Sequence, residues 1–351
     1  MNKWTFLLIL VVLGIFAAIF WIPIPYYSSS IHPHATNIEV RAAIDIGSGA
    51  TNLKVANVNR DTDKIVSQIF EQSIPVPYQK HLEKSSNNTF DNEVMEQGIQ
   101  AIKALKEKAD SYHVKKVVAV ATAAFRKADN ASQFAQEIEK LTGVRVHIID
   151  QDEEGILAFR GALAITPIEA NQTLVWDIGG GSMQLTTLTD AGSYLVEKGK
   201  LASIPFKNAI IQEIKHQDIQ KVHSPNPLSP EEMQQALQYA EQKARETDPY
   251  IKEKIINPNT KILAVGSLFK YAIRPLINDQ STLLPGDLEK AVQGFANKTD
   301  SDLPGGALAE VAVSNPLLVL GYMKGLDIKE VEIISVNNAD GALTYPVYWA
   351  D

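Results

Sequence analysis

Two short segments of the chain share one local grammar: Asp45-Ile46-Gly47-Ser48-Gly49 and Asp177-Ile178-Gly179-Gly180-Gly181-Ser182. Each joins an apolar run to an aspartate and then to a turn of glycine and serine. Glycine lets backbone N–H groups come close to an anion. Seen once, such a segment is more often a plain strand-ending turn than a phosphate site. Seen twice at a domain-sized interval, it implies a duplicated unit whose two loops face one anion. Asp45 and Asp177 are then placed to hold Mg²⁺ or a water, since Mg²⁺ prefers oxygen, keeps its waters and needs only one or two carboxylates.

Asp152-Glu153-Glu154 follows an apolar run and opens a helix. Acids at a helix start complement the dipole; the competing reading is a carboxylate general base that activates water. Arg126 follows the run 117–121, in a loop or at a helix start, where it either grips a phosphate bidentately or stays solvated. The seven histidines are scattered without a metal-binding spacing, and cysteine is absent. Thiol catalysis, Cys-ligated zinc and a disulfide scaffold are excluded. Ser182 lacks the Gly-x-Ser-x-Gly elbow of a serine hydrolase and reads better as a hydroxyl donor to phosphate. There is no Gly-x4-Gly-Lys-Ser/Thr loop and no Gly-x-Gly-x-x-Gly opening a helix.

Elements of an α/β protein must position these residues. Residues 40–45 and a run through Leu53, Val55 and Ala56 read as strands around the first glycine turn. A helix follows over 93–110, a strand over 115–121, a helix over 131–141 capped by Asp129 or Asn130, a strand over 144–149, and a helix from about 152. The plan restarts with strands over 173–176 and 184–188. Ser229-Pro230-Glu231-Glu232 is a capped helix start. Strands over 261–265 and 330–336 follow, with helix and loop decoration across 279–306. A length of 351 residues suits two domains, placed at 39–168 and 169–351. A hydrophobic fraction of 45% excludes a mostly disordered chain, and a net charge of −8 argues against a general nucleic-acid binder. A local basic pocket is compatible with that charge.

Residues 4–24 are almost wholly apolar, with Lys3 before them and no further charge until Glu39. At about 1.5 Å per residue they span about 31 Å, close to the hydrocarbon thickness of a bilayer. Trp4 at one end and Trp21, Tyr26 and Tyr27 at the other suit interfacial positions. The expectation is an N-terminal transmembrane signal anchor over 1–25, a linker over 26–38, and a body exported across a bacterial inner membrane to the periplasm. A cleaved signal peptide is the rival.

In order and approximate spacing, four segments resemble the exopolyphosphatase/guanosine pentaphosphate phosphatase (Ppx/GppA) family. They are residues 40–55, 121–130, 142–149 with Glu153-Glu154, and 177–182; Asp340-Gly341-Ala342-Leu343 near the end is similar to the family's late Asp-Gly-Ala-Leu. The resemblance implies the actin-like, duplicated ribonuclease-H-type fold. It also implies release of a terminal phosphate from polyphosphate or a guanosine penta/tetraphosphate-type nucleotide. Glu154 would be the base, with Arg126 neutralising charge on the phosphoryl group. The loops Gly47, Ser48, Gly49 and Gly179, Gly180, Gly181, Ser182 would hold phosphate, and Mg²⁺ would assist at Asp45 and Asp177. The sequence departs from the family at Gly49-Ala50, at Asp150-Gln151, at Gly266-Ser267-Leu268, and at Gln184, where the family has a glutamate. Two alternatives are an apyrase-like nucleoside tri/diphosphatase, which Gln184 suits, and a catalytically degenerate phosphate or nucleotide sensor. The expected partners are the phosphorylated substrate and, through residues 4–24, the membrane; a homodimer is left open.

Overall fold

In the computed structural model, residues 37–350 are described. The expected transmembrane anchor and most of its linker lie outside them. Among the described residues, no helix is long and apolar enough to cross a membrane.

The first half runs β1 (Ile38–Ile46), β2 (Ala50–Asn59), β3 (Lys64–Pro75), α1 (Tyr78–Lys84), α2 (Asn92–Asp110), β4 (Val117–Ala121), α3 (Ala123–Lys127), α4 (Ala131–Thr142), β5 (Val146–Ile148) and α5 (Gln151–Ile165). The second runs β6 (Thr173–Ile178), β7 (Met183–Leu188), β8 (Tyr194–Gly199), α6 (Ser203–Ala209), α7 (Pro230–Ala244), α8 (Pro249–Ile256), β9 (Lys261–Val265), β10 (Thr282–Leu283), α9 (Pro285–Gln293), α10 (Ser314–Gly325), β11 (Val331–Ile333) and α11 (Asn338–Thr344).

The duplication is visible in the sheets. The first has the order β3-β2-β1-β4-β5; the second, taken from its β8 edge, has β8-β7-β6-β9-β11, with β10 added outside. In both, an antiparallel meander leads to two parallel strands reached through helical crossovers. The register repeats as well: Asp45 lies opposite Asn52 across its hairpin, and Asp177 opposite Gln184. This is the duplicated two-sheet α/β plan that the resemblance implies.

Strand alternation decides which way the aspartates point. Ala42, Ile44 and Ile46 enter the core under α2 and α4, while Ala43 faces the opposite side with Val118 and Val120. Asp45 shares the face of Ala43. In the second sheet Leu174, Trp176 and Ile178 enter the large core, and Val175 faces away from it. Asp177 shares the face of Val175. Both of these other faces are covered by the same helix. α5 gives Leu157 to the first sheet and Ala158, Phe159 and Ala162 to the second. The last helix, α11, returns to the first sheet and packs Ala339, Ala342 and Leu343 against Ala43 and Val118.

Candidate active site

α5 starts where the sequence predicts. Asp150 caps it by accepting from the Glu153 N–H at 2.8 Å. Position 155 must be glycine: a Cβ there would lie 2.6 Å from Thr186 Oγ1 and 2.7 Å from Val196 Cγ1. That close approach seats the first turn of α5 on β7 and β8, although the helix follows the first sheet in sequence.

Glu154 is thereby buried, with 5% of its surface exposed. Its Oε2 accepts from Arg126 Nη2 at 2.7 Å, Gln184 Nε2 at 3.1 Å and Ser182 Oγ at 3.1 Å, whereas Oε1 has Ser182 Oγ alone, at 3.0 Å. Burial raises the Glu154 pKa above the ordinary glutamate value, against the opposing pull of Arg126, Ser182 and Gln184. Glu153 turns the other way and accepts from the Tyr348 hydroxyl at 2.5 Å, and exposed Asp152 pairs with Lys198. The three acids at the helix start have three separate environments.

The two glycine turns are alike. The Gly47 N–H donates to the Ala50 carbonyl and the Gly179 N–H to the Ser182 carbonyl, both at 2.9 Å. Those two amides therefore close the turns and are not available to an anion. The carbonyls of Ser48, Gly49, Gly179 and Gly180 accept from the amides of Gln79, Val76, Ser203 and Ile204. A trans peptide points its C=O and N–H in opposite directions, so the N–H groups of Gly49, Gly180 and Gly181 turn away from those outer segments. The turns also touch. A Cβ on Gly181 would come within 3.2 Å of Ser48 Oγ, and one on Gly180 within 3.2 Å of Ser48 Cβ.

Asp45, Glu154, Asp177 and both turns line one cleft of about 580 Å³, with Tyr271 and Leu308 exposed at its rim. Residues 58–299 match the Ppx/GppA phosphatase family. The chain belongs to that family. At family level it is therefore a phosphoanhydride hydrolase. It is similar to the Ppx/GppA family member of Aquifex aeolicus (21% identity, TM-score 0.67, 88% of this chain and 98% of the other). It is also similar to an exopolyphosphatase of Cytophaga hutchinsonii (17% identity, TM-score 0.68, 89% and 99%). At these identities the likeness is one of fold.

Within this Ppx/GppA chain three expected roles take a different shape. The Arg126 guanidinium is held by Glu154 and, at 3.0 Å, by the Ile149 carbonyl. It is not among the residues that line the cleft. The Ser182 hydroxyl is likewise committed to Glu154. Gln184 is buried beside Glu154, donates to its Oε2, and is not among the residues that line the cleft.

The Mg²⁺ expectation can be tested against the donor set. Burial and the neighbouring Glu154 charge push Asp45 up to about 7, and burial with Glu154 and Asp45 raises Asp177 well above its usual range. Asp45 Oδ1 is buried without a hydrogen-bond partner. Carboxylates that penalise one another when ionised, one with an orphaned oxygen, suit a hard divalent cation.

Sequence reasoning missed Lys54 and Asn338, and it met Gly266 only as part of a departure from the family. Lys54 is buried on the cleft with its ammonium 2.7 and 2.9 Å from the Asp340 oxygens. Lysine on an interior strand carries no motif, so nothing marked it. Gly266 has φ +94°, and a Cβ there would meet Asp177 Oδ1 at 2.2 Å; a glycine at a strand end was the available signal.

Proposed function

We propose that this chain hydrolyses a phosphoanhydride bond in the cleft between the two glycine turns. It releases the terminal phosphate of polyphosphate or of a guanosine penta/tetraphosphate-type nucleotide. The observation that carries the reading is the asymmetry of Glu154: Arg126 and Gln184 both donate to Oε2, and the single Ser182 proton lies between the two oxygens, slightly nearer Oε1. Donors on Oε2 orient the carboxylate and keep it ionised, which leaves Oε1 as the atom to take a proton from water. The water oxygen attacks the terminal phosphorus, its proton passes to Glu154, and the bridging P–O bond breaks with its electrons on the leaving phosphate. The N–H groups of Gly49, Gly180 and Gly181 take up charge developing on the phosphoryl oxygens. Arg126 and Ser182 fix the base. Asp45 and Asp177 would hold Mg²⁺, which when bound neutralises phosphate charge and orients the substrate.

The test is phosphate release from polyphosphate, pppGpp, ATP and ADP, each with Mg²⁺ and with EDTA. Turnover of polyphosphate or pppGpp well above ATP and ADP is expected. A second reading, an apyrase-like nucleotidase, is favoured by one observation, the amide of Gln184 on the base; turnover of ATP and ADP above the other two would select it. Binding without turnover of any of the four would make the chain a sensor.

A further inference from the structure

The cation side of this cleft has carboxylates assigned to it, and a neutral ligand can be assigned as well. Among the described residues, the buried side-chain atoms that line the cleft and lack a hydrogen-bond partner are Asp45 Oδ1, Gln79 Oε1 and Asn338 Oδ1. All three are oxygens. Buried acceptors are ordinarily satisfied, and a set with no orphaned donor calls for something positive.

Asn338 is held in place by rigid neighbours. It lies in the first turn of α11, where Asn337 caps the helix by accepting from the Ala339 N–H at 3.0 Å. Asp340 accepts from the Asn337 N–H at 2.9 Å and is clamped by the buried Lys54 ammonium. Cap and ion pair fix that turn against β2. Asn338 is 7% exposed, and its side chain lowers the Asp45 pKa as a nearby donor does. A carboxylate only accepts, so the amide nitrogen is the end turned to Asp45. The Asn338 oxygen, like Asp45 Oδ1, is left over.

We propose that Asn338 supplies a neutral oxygen to the divalent-cation site, beside Asp45 Oδ1, so that the C-terminal helix completes a site otherwise built from strand ends. The inference rests on the hydrolase reading for the identity of the cation, while its geometry rests on the two oxygens. Hard divalent cations accept carbonyl and carboxylate oxygens together.

The experiment titrates the full chain with Mn²⁺ in the absence of substrate, following free Mn²⁺ by electron paramagnetic resonance. Asn338→Leu, which keeps the branched shape and removes the oxygen, should weaken Mn²⁺ by about tenfold or more, in the range seen when a metal site loses a supporting group. Asn338→Asp should bind at least as tightly as the wild type, and Asp45→Asn should bind far more weakly. Binding by Asn338→Leu within twofold of wild type overturns the proposal. Should that variant not fold, Asn338→Asp decides: tighter Mn²⁺ binding supports the assignment, and weaker binding overturns it. Phosphate release measured in parallel separates the two ideas. Turnover with unchanged Mn²⁺ affinity in Asn338→Leu refutes the ligand alone, and Asn338-dependent Mn²⁺ binding without turnover refutes the hydrolase alone.

Discussion

Glu153 and Glu154 are adjacent and chemically identical, and their surroundings separate them. Glu154 faces the cleft and three donors; Glu153 faces Tyr348. Glu154→Gln should lower turnover by about 10²–10⁴ with the fold intact, as loss of a general base does. Glu153→Gln should stay within a few-fold of wild type, and equal losses in steady-state assays would refute the assignment. Asp45 gives a second prediction, on stability. Its ordinary value is 3.8 and its value in the fold is about 7. Between those values the native state keeps a proton that the unfolded chain has released, so its contribution to stability falls as pH rises through that window. In EDTA, Asp45→Asn should melt higher than wild type at pH 8, with the difference shrinking toward pH 5; equal melting curves at both pH values would show that the carboxylate is not strained. At this scale the sequence was legible where a motif repeats. Asp45 and Asp177 stood out because each precedes a glycine turn. Asn338 did not, because its role depends on a helix returning from the far end of the chain.

Elements set by local chemistry were the readable ones. Ser229 and Pro230 start α7 as their types require, with a full capping box to Glu232. Asn130 precedes α4 as expected, but its side chain makes no cap; it bridges the Phe90 N–H and carbonyl instead. β3 went unread because it is a largely exposed edge strand without apolar alternation. α10 went unread for the opposite reason: nearly every side chain from Ser314 to Met323 is buried, so no single face stands out. The helix that matters most for function, α5, owes its place to Gly155. Gly155→Ala puts a methyl group against Thr186 and Val196. Overpacking of this kind costs about 1–3 kcal/mol, and the displaced helix start would also carry Glu154 away from Ser182 and Gln184. The expected outcome is a lower melting temperature together with a fall in kcat larger than the stability loss explains. A variant with normal kcat would mean that the seat of α5 on β7 and β8 does not position the base.

For the molecule as a whole, the duplicated sheets explain why one cleft receives two aspartates and two glycine turns. Repeated strand alternation sends Asp45 and Asp177 toward the same covering helix, whose single acidic start is where the proposed base lies. Among the described residues, 38–350 form one compact unit, and the hydrophobic clusters named above are assembled between Val40 and Trp349. Residues 4–24 are a separate matter, with a hydrophobicity suited to lipid and no charge opposing insertion before Glu39. If they anchor the chain, deleting residues 1–36 should move the protein from the membrane fraction to the soluble fraction with kcat retained, because the cleft draws no assigned residue from that segment. In that case the lone Lys3 before the apolar run would orient the body outward under the positive-inside tendency. Protease added to spheroplasts should therefore degrade the body of the full chain. A protected body would place the cleft on the cytoplasmic side, where a guanosine polyphosphate becomes the favoured substrate. N-terminal sequencing of the mature protein separates anchor from signal peptide: an intact Met1 or Asn2 supports the anchor, and a start near Ser28 to Thr36 refutes it.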